Sequence, residues 1–361
     1  MPITAPTRLD EVPAAAEAVL VDFFADRAAA TAAISPRFAG AVDAVARYVL
    51  RGGKRIRPTF CWAGWQCRQG DSGVAESDIA VLRVAASLEL IQACALIHDD
   101  IIDRSDTRRG YPTLHREQES GHRSERWQGD PEHFGTSAAI LLGDLALAWA
   151  DDMIRDAGLT PMAARRISPT WSAMRTEVLG GQYLDIVNEV SADESADSAD
   201  QVMRFKTAAY TIERPLQLGA EIAGAPVETV ESLRRFGTDL GIAFQLRDDL
   251  LGAFGDPEVT GKPSGDDLMA GKRTAILAAA FNRLDENRAD QLRSYIGRPL
   301  EEWELRETRS LIAESGAVTT IETRIDALLA SARDTLAHAP IADAAKTQLS
   351  TLAARVTDRR S

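Results

Sequence analysis

Adjacent carboxylates at Asp99 and Asp100, with a third at Asp103, close the apolar run CALIHDDIID, and Arg104, Arg108 and Arg109 follow within six positions. On a helix Asp99 and Asp103 lie one turn apart on one face, with Asp100 about 100° round the axis. Like charges so placed on a buried helix repel unless a cation sits between them. Hard oxygen ligands in an incomplete cage suit Mg²⁺, which binds through one or two carboxylates and completes its shell with water and phosphate oxygens. Taken alone, the cluster reads more simply as a solvated acidic helix end paired with the arginines.

A second cluster shifts that balance. The run GIAFQLRDDLLGAFGD at 241–256 again sets adjacent Asp248 and Asp249 after an apolar helical segment. Two acidic patches at the ends of two core helices can face one cavity and grip a diphosphate through bridging metal ions. Cationic groups stand at the neighbouring chain breaks. GGKRIRP supplies Lys54, Arg55 and Arg57 at a glycine break where backbone N–H groups and side chains can converge on an anion. Arg108 and Arg109 follow the first patch, Lys206 lies in FKTAAYT, and Lys262 and Lys272 flank the loop after the second patch. Any one of these is more simply a surface charge; together they point to an anionic ligand.

The elements that must position these groups are helical. Apolar residues recur at i, i+3, i+4 in nearly every window, and two-residue alternation is almost absent, so an all-α chain is expected. The longest helix is expected from a Ser77 cap through Asp103, about 26 residues or roughly 39 Å, apolar on nearly all sides and therefore central. Breaks fall at 51–58, 108–115 and 254–267, where Gly and Pro cluster. Segment 116–135 reads as a polar surface loop, with His122 and His133 in it and His115 just before it as ordinary surface histidines. Segment 191–200, SADESADSAD, reads as an acidic, mobile linker with helix-cap potential.

Composition bounds the function. The chain has 361 residues, 45% hydrophobic and 26% charged, which a single large helical core accommodates. A net charge of -13 excludes a general nucleic-acid or acidic-lipid binder, so an anionic ligand needs a local basic pocket. Three cysteines without a CxxC pair argue for reduced thiols. The N-terminus lacks a secretory signal pattern, and the apolar stretch AAILLGDLALAWA is broken by Asp144 and too short to span a membrane. A cytoplasmic protein without a membrane span is expected. The C-terminal RVTDRRS, with Arg359 and Arg360, reads as a frayed tail.

DDIID at 99–103 followed by RRG at 108–110, with GGKRIRP upstream and FQLRDD and GK downstream, resembles the trans-isoprenyl diphosphate synthases, or polyprenyl synthetases. The resemblance covers about residues 40–285, with helical residues 286–361 carrying no legible motif. It implies one isoprenoid synthase domain over 1–361, a single-domain helical bundle around a central cavity, and a homodimer. It also implies Mg²⁺-dependent head-to-tail condensation of isopentenyl diphosphate with an allylic diphosphate, with three ions when substrate is bound. Carried over by position, Asp99, Asp103 and Asp248 ligate Mg²⁺, supported by Asp100, Asp249 and Asp267. Arg108, Lys206, Lys262 and Lys272 hold the allylic diphosphate. Lys54, Arg57 and Arg109 hold isopentenyl diphosphate, joined by Gln92 where bacterial members often have His. The Lys206 carbonyl, Thr207 hydroxyl and Gln245 amide oxygen face the allylic cation, with Phe244 in the same binding motif.

Two further departures are visible. Gly252 stands where many members place a third Asp, leaving Asp256 or Asp267 to take that role, and the usual KTG reads Lys206, Thr207, Ala208. Product length should follow the helix bearing Asp99, because each turn of 5.4 Å matches about one isoprene unit. In the family, bulky aromatics four and five positions before the motif shorten the product. Here Ala95 and Cys94 are small, so the tail should pass them and stop near Ile91, Leu88 or residues of neighbouring helices, giving C20 geranylgeranyl diphosphate, with C15 and C25 or longer as the flanking products. A class I terpene cyclase is the first rival, although it has no use for the second diphosphate site that GGKRIRP supplies. A non-catalytic partner subunit of a heteromeric synthase is the second, with Gly252 as its only support.

Overall fold

A computed structural model describes residues 3–67, 76–255 and 265–357. Helical periodicity is realised throughout, and the chain forms two compact units, Met1–Trp171 with Pro215–Pro226, and Ser172–Arg214 with Val227–Ser361.

The first unit holds α1 (Val12–Ile34), α2 (Pro36–Leu50), α3 (Ile56–Gln66), α4 (Asp78–Ile102), β1 (Thr107–Arg108), β2 (Tyr111–Pro112), α5 (Leu114–Ser124) and α6 (Pro131–Arg155). It also takes the start of α7 (Pro161–Ser191) and most of α9 (Arg214–Ile222). The expected long helix is α4, 25 residues, opened by a Ser77 side chain that accepts from the Ala80 N–H. It packs against α1, α3 and α6 and buries Leu82, Leu88, Leu90 and Ile97. Among the described residues one helix, α4 itself, has the length and composition to cross a membrane, and 72% of its most apolar window is buried in the protein. Two glycines let α3 and α9 touch backbone to backbone. A Cβ on Gly64 would fall 2.2 Å from the Leu216 carbonyl oxygen, and one on Gly219 1.9 Å from that of Cys61.

The expected loop at 116–135 is incorrect. Residues 114–124 form α5, and α6 begins at Pro131. Leu114, His115 and His122 are buried, so two of the three histidines are interior rather than surface groups. Arg116 and Arg123 both donate to Glu119 along the outer face, which supports a helix that its polar composition conceals.

The second unit holds the rest of α7, α8 (Ala196–Val202), a π-helical segment (Met203–Glu213), α10 (Val227–Phe254), α11 (Asp266–Ala270), α12 (Ala275–Phe281), α13 (Glu286–Tyr295), α14 (Glu302–Glu314), α15 (Ala317–His338) and α16 (Asp343–Thr357). Its core joins Leu246 and Leu250 of α10 to Ile276, Leu292, Ile312, Ile321 and Ile325. The acidic linker is shorter than expected, because α7 extends to Ser191 and Ser195 caps α8 by accepting from the Ser198 N–H. Its charges are engaged: Glu194 accepts from Arg293 at 2.8 Å and Asp200 from Arg324 at 2.8 Å. Arg359 and Arg360 lie outside the described residues.

Candidate active site

In the first unit, the last turn of α4 presents Asp99 and Asp100, and Asp103 caps it. Asp100 is wholly buried and accepts from Arg108 Nε at 2.6 Å and from the Tyr48 hydroxyl at 3.2 Å. Arg108 also reaches Asp99 Oδ2 at 3.2 Å. Burial pushes the Asp100 carboxyl up to about 6 against the pull of Arg108. Burial and the Asp100 charge also raise the Tyr48 phenol. Asp100 therefore anchors Arg108 beneath the acidic end, a contact that the spacing of DDIID does not disclose.

The hairpin that follows turns through Arg109 at φ 55° and Gly110 at φ 79°, with Arg108 paired to Tyr111. Positive φ at both central residues is the signature of a type I′ turn, strained at an arginine. The turn lets Arg109 Nη1 donate to the Gly52 carbonyl at 2.8 Å. A Cβ on Gly53 would come within 3.0 Å of the Arg109 guanidinium, and Gly53 itself has φ 134°, so the glycine pair suits this contact.

GGKRIRP is divided in role. Arg55, in a left-handed conformation, is buried and donates to Glu89 at 2.6 Å and to the Val49 carbonyl at 2.7 Å. It is thereby committed to the fold, whereas Lys54 is exposed and Arg57 half-buried. An open cleft is lined by Tyr48, Arg51, Arg55, Gln92, Arg108, Arg109 and Tyr111. The Gln92 amide oxygen is buried with no hydrogen-bond partner among the described residues, a polar group left for a ligand. Arg51 and Tyr48, absent from the sequence-derived set, complete the lining; Arg51 stood in plain view beside the glycine pair. Deeper along α4, Cys94, Ile91 and Leu88 are buried and Ala95 is half-buried. Burial pushes the Cys94 thiol up to about 12, so it acts as a small neutral side chain.

In the second unit, Asp249 on α10 is buried and accepts from Gln245 Nε2 at 2.7 Å. Burial, reinforced by Asp267, Asp248 and Asp185, pushes its carboxyl up to about 7 despite the Gln245 bond. Phe244 on the same helix is buried, while Thr207 is half-buried on the π segment. Lys206 donates from Nζ to Asp185 at 2.5 Å, and Lys272 Nζ lies 3.7 Å from the same carboxylate. Asp185 was missed from sequence; the signal was the mid-helix glycine pair of GGQYLDI four residues ahead of an acid. Gly252 also gains an explanation: a Cβ there would fall 2.1 Å from Asp267 Oδ2, so the carboxylate of Asp267 fills the space beside the glycine. Lys262 and Asp256 lie outside the described residues.

The donors fit magnesium in kind. They are all oxygen, and among the described residues no three potential side-chain ligands already converge on one point. An ion held by one or two carboxylates and completed by ligand phosphate needs no more.

The sequence matches the polyprenyl synthetase family over residues 40–312. It is 34% identical over 304 residues to a geranylfarnesyl diphosphate synthase of Aeropyrum pernix, covering 83% of this chain and 88% of that one. A geranylgeranyl diphosphate synthase of Methanosarcina mazei is 32% identical over 238 residues, 66% of each chain. A crystal structure of geranylgeranyl pyrophosphate synthase from Corynebacterium glutamicum, complexed with isoprenyl diphosphate and magnesium, is 49% identical with a TM-score of 0.94, over 98% of this chain and 99% of that one. The chain belongs to the polyprenyl synthetase family of prenyltransferases.

Proposed function

We propose that the protein condenses isopentenyl diphosphate head-to-tail with allylic diphosphates, with C20 geranylgeranyl diphosphate as the main product. The observation that carries this reading is an acidic helix end set against an arginine-lined cleft in one unit, together with an acid and lysine cluster in the other. Asp99, Asp103 and Asp248 hold Mg²⁺, three ions in all with substrate, supported by Asp100, Asp249 and Asp267. The metal neutralises charge on the departing diphosphate. Arg108, Lys206, Lys262 and Lys272 bind the allylic diphosphate, and Lys54, Arg57, Gln92 and Arg109 bind isopentenyl diphosphate. The Lys206 carbonyl, the Thr207 hydroxyl and the Gln245 amide oxygen face the allylic cation as fixed dipoles beside Phe244. The alkene of isopentenyl diphosphate attacks that carbon, and the released diphosphate takes the proton lost.

C20 is favoured because Ala95 and Cys94 leave the path open to Ile91. One relative bears the name of a C20 synthase and another that of a C25 synthase. The decayed-subunit reading loses its support, since Asp267 stands beside Gly252. Exposed Ile140 and Leu141 on α6 supply an apolar face for a homodimer. The protein acts in the cytoplasm.

Product analysis tests this reading. Purified protein with Mg²⁺, isopentenyl diphosphate and a C5, C10 or C15 allylic diphosphate should give a C20 alcohol after dephosphorylation. A cyclic hydrocarbon from an allylic diphosphate alone would make it a cyclase, and no product from any starter would return the partner-subunit reading.

A further inference from the structure

The segment Met203–Glu213 that carries Lys206 and Thr207 is wound as a π-helix for eleven residues. Such winding usually appears as a single-turn bulge, so a run of this length needs something that prefers it to an α-helix. Two sets of contacts within the second unit do so.

The first is a glycine slot. A Cβ on Gly181 of α7 would fall 2.3 Å from the Lys206 backbone nitrogen. On α10, a Cβ on Gly241 would fall 2.7 Å from Ala208 Cα and one on Gly237 2.7 Å from Glu213 Cα. The neighbouring helices thus approach the widened backbone at its beginning, middle and end.

The second is a buried charge cluster. Glu213, the last π residue, has no exposed side-chain surface and pairs with Arg204, the second residue of the segment. Its other oxygen lies 3.1 Å from Arg234 Nε of α10, and Arg204 Nη1 also donates to Thr238 at 3.0 Å. Burial alone would raise the Glu213 carboxyl, but the guanidiniums outweigh it and hold it below the usual range.

Arg204 and Glu213 are nine residues apart. With i→i+5 bonds and about 4.4 residues per turn, nine residues make about two turns, so both side chains share one face. With 3.6 residues per turn the same nine residues make about two and a half turns, and the two would lie on opposite faces. The ion pair therefore discriminates between windings. Lys206 lies seven residues before Glu213, so rewinding to an α-helix would swing it about 125° round the axis and away from Asp185.

We propose that Glu213, paired with Arg204, is a positioning residue that locks the segment in its π winding and thereby fixes where Lys206 and Thr207 act. The proposal rests on the prenyl-transfer reading for its kinetic consequence, though not for its structural one.

A kinetic double-mutant cycle on the full-length protein tests it, using Lys206→Gln, Glu213→Gln and the double variant with C15 allylic diphosphate, isopentenyl diphosphate and Mg²⁺. Glu213→Gln is expected to lower kcat roughly thirtyfold while KM for isopentenyl diphosphate stays within about twofold. Lys206→Gln is expected to cost about a hundredfold alone but less than about threefold when Glu213→Gln is already present. Equal losses in the two backgrounds overturn the lock. If Glu213→Gln does not fold, Arg204→Gln breaks the same pair while leaving Glu213 on Arg234, and the same coupling is expected. Hydrogen exchange reads the winding without catalysis: amides 203–213 should exchange at least about tenfold faster in Glu213→Gln with α10 unchanged, and unaltered exchange there overturns the proposal. A wild-type protein that forms no product overturns the functional reading instead.

Discussion

Two single side chains carry separable expectations. In the proposed function Ala95 leaves the first level beneath the acidic motif open, so Ala95→Phe should shift products from C20 towards C15 or C10, read by chromatography of the dephosphorylated alcohols. An unchanged distribution would place the floor of the cavity on other helices. Asp249 carries a linkage prediction. Burial and three neighbouring carboxylates raise its folded pKa to about 7, above the ordinary value near 4, so its contribution to stability is complete below pH 4 and lost as pH rises through 7. In metal-free protein, Asp249→Asn should therefore raise Tm at pH 8 by roughly 5 °C and leave it nearly unchanged at pH 4. The same change should depress Mg²⁺-dependent turnover, which separates the cost of the charge from its use.

At the scale of elements, the glycine break before α3 is held by a buried ion pair rather than by apolar packing alone. Arg55 and Glu89 have side chains only 3% and 7% exposed, so Glu89→Ala leaves a buried guanidinium short of its partner and should cost about 3 kcal/mol in urea unfolding. Because that pair anchors the segment bearing Lys54 and Arg57, KM for isopentenyl diphosphate should rise as well. The contact between α3 and α9 is less forgiving. Gly219→Ala places a methyl against the Cys61 carbonyl, and neither backbone can yield without moving its helix, so a loss of at least about 3 kcal/mol is expected in the same assay.

For the whole molecule, association and catalysis can be read apart. Leu141 is 69% exposed on α6 beside Ile140, where the proposed homodimer would cover it. Leu141→Arg should convert the proposed dimer to a monomer in sedimentation equilibrium, and a wild-type monomer would remove that role. The net charge of -13 opposes binding of anionic substrates at long range, so turnover should depend on the local arginines of the first unit and the local lysines of the second. Raising salt should accordingly increase KM for both diphosphates more than it lowers kcat.

The sequence by itself determined the helical class, the long central helix with its Ser77 cap, and the residue types of both acidic clusters. Those features are local: a cap lies three residues from the N–H it accepts, apolar spacing follows one helix turn, and metal chemistry requires carboxylates at a fixed separation. Tertiary structure decided what depends on distant partners. Helix α5 was concealed because its own sequence is polar and its buried residues, Leu114, His115 and His122, gain their meaning from packing against α6. Arg55 and Arg57 are two positions apart and chemically alike, yet only contact with Glu89 makes the first structural. Asp185 acquires a role from Lys206, 21 residues further on. The π winding is the furthest from local reading, since glycines on α7 and α10 and an ion pair spanning nine residues select it, and a scan for 3.6-residue periodicity finds only a helix there.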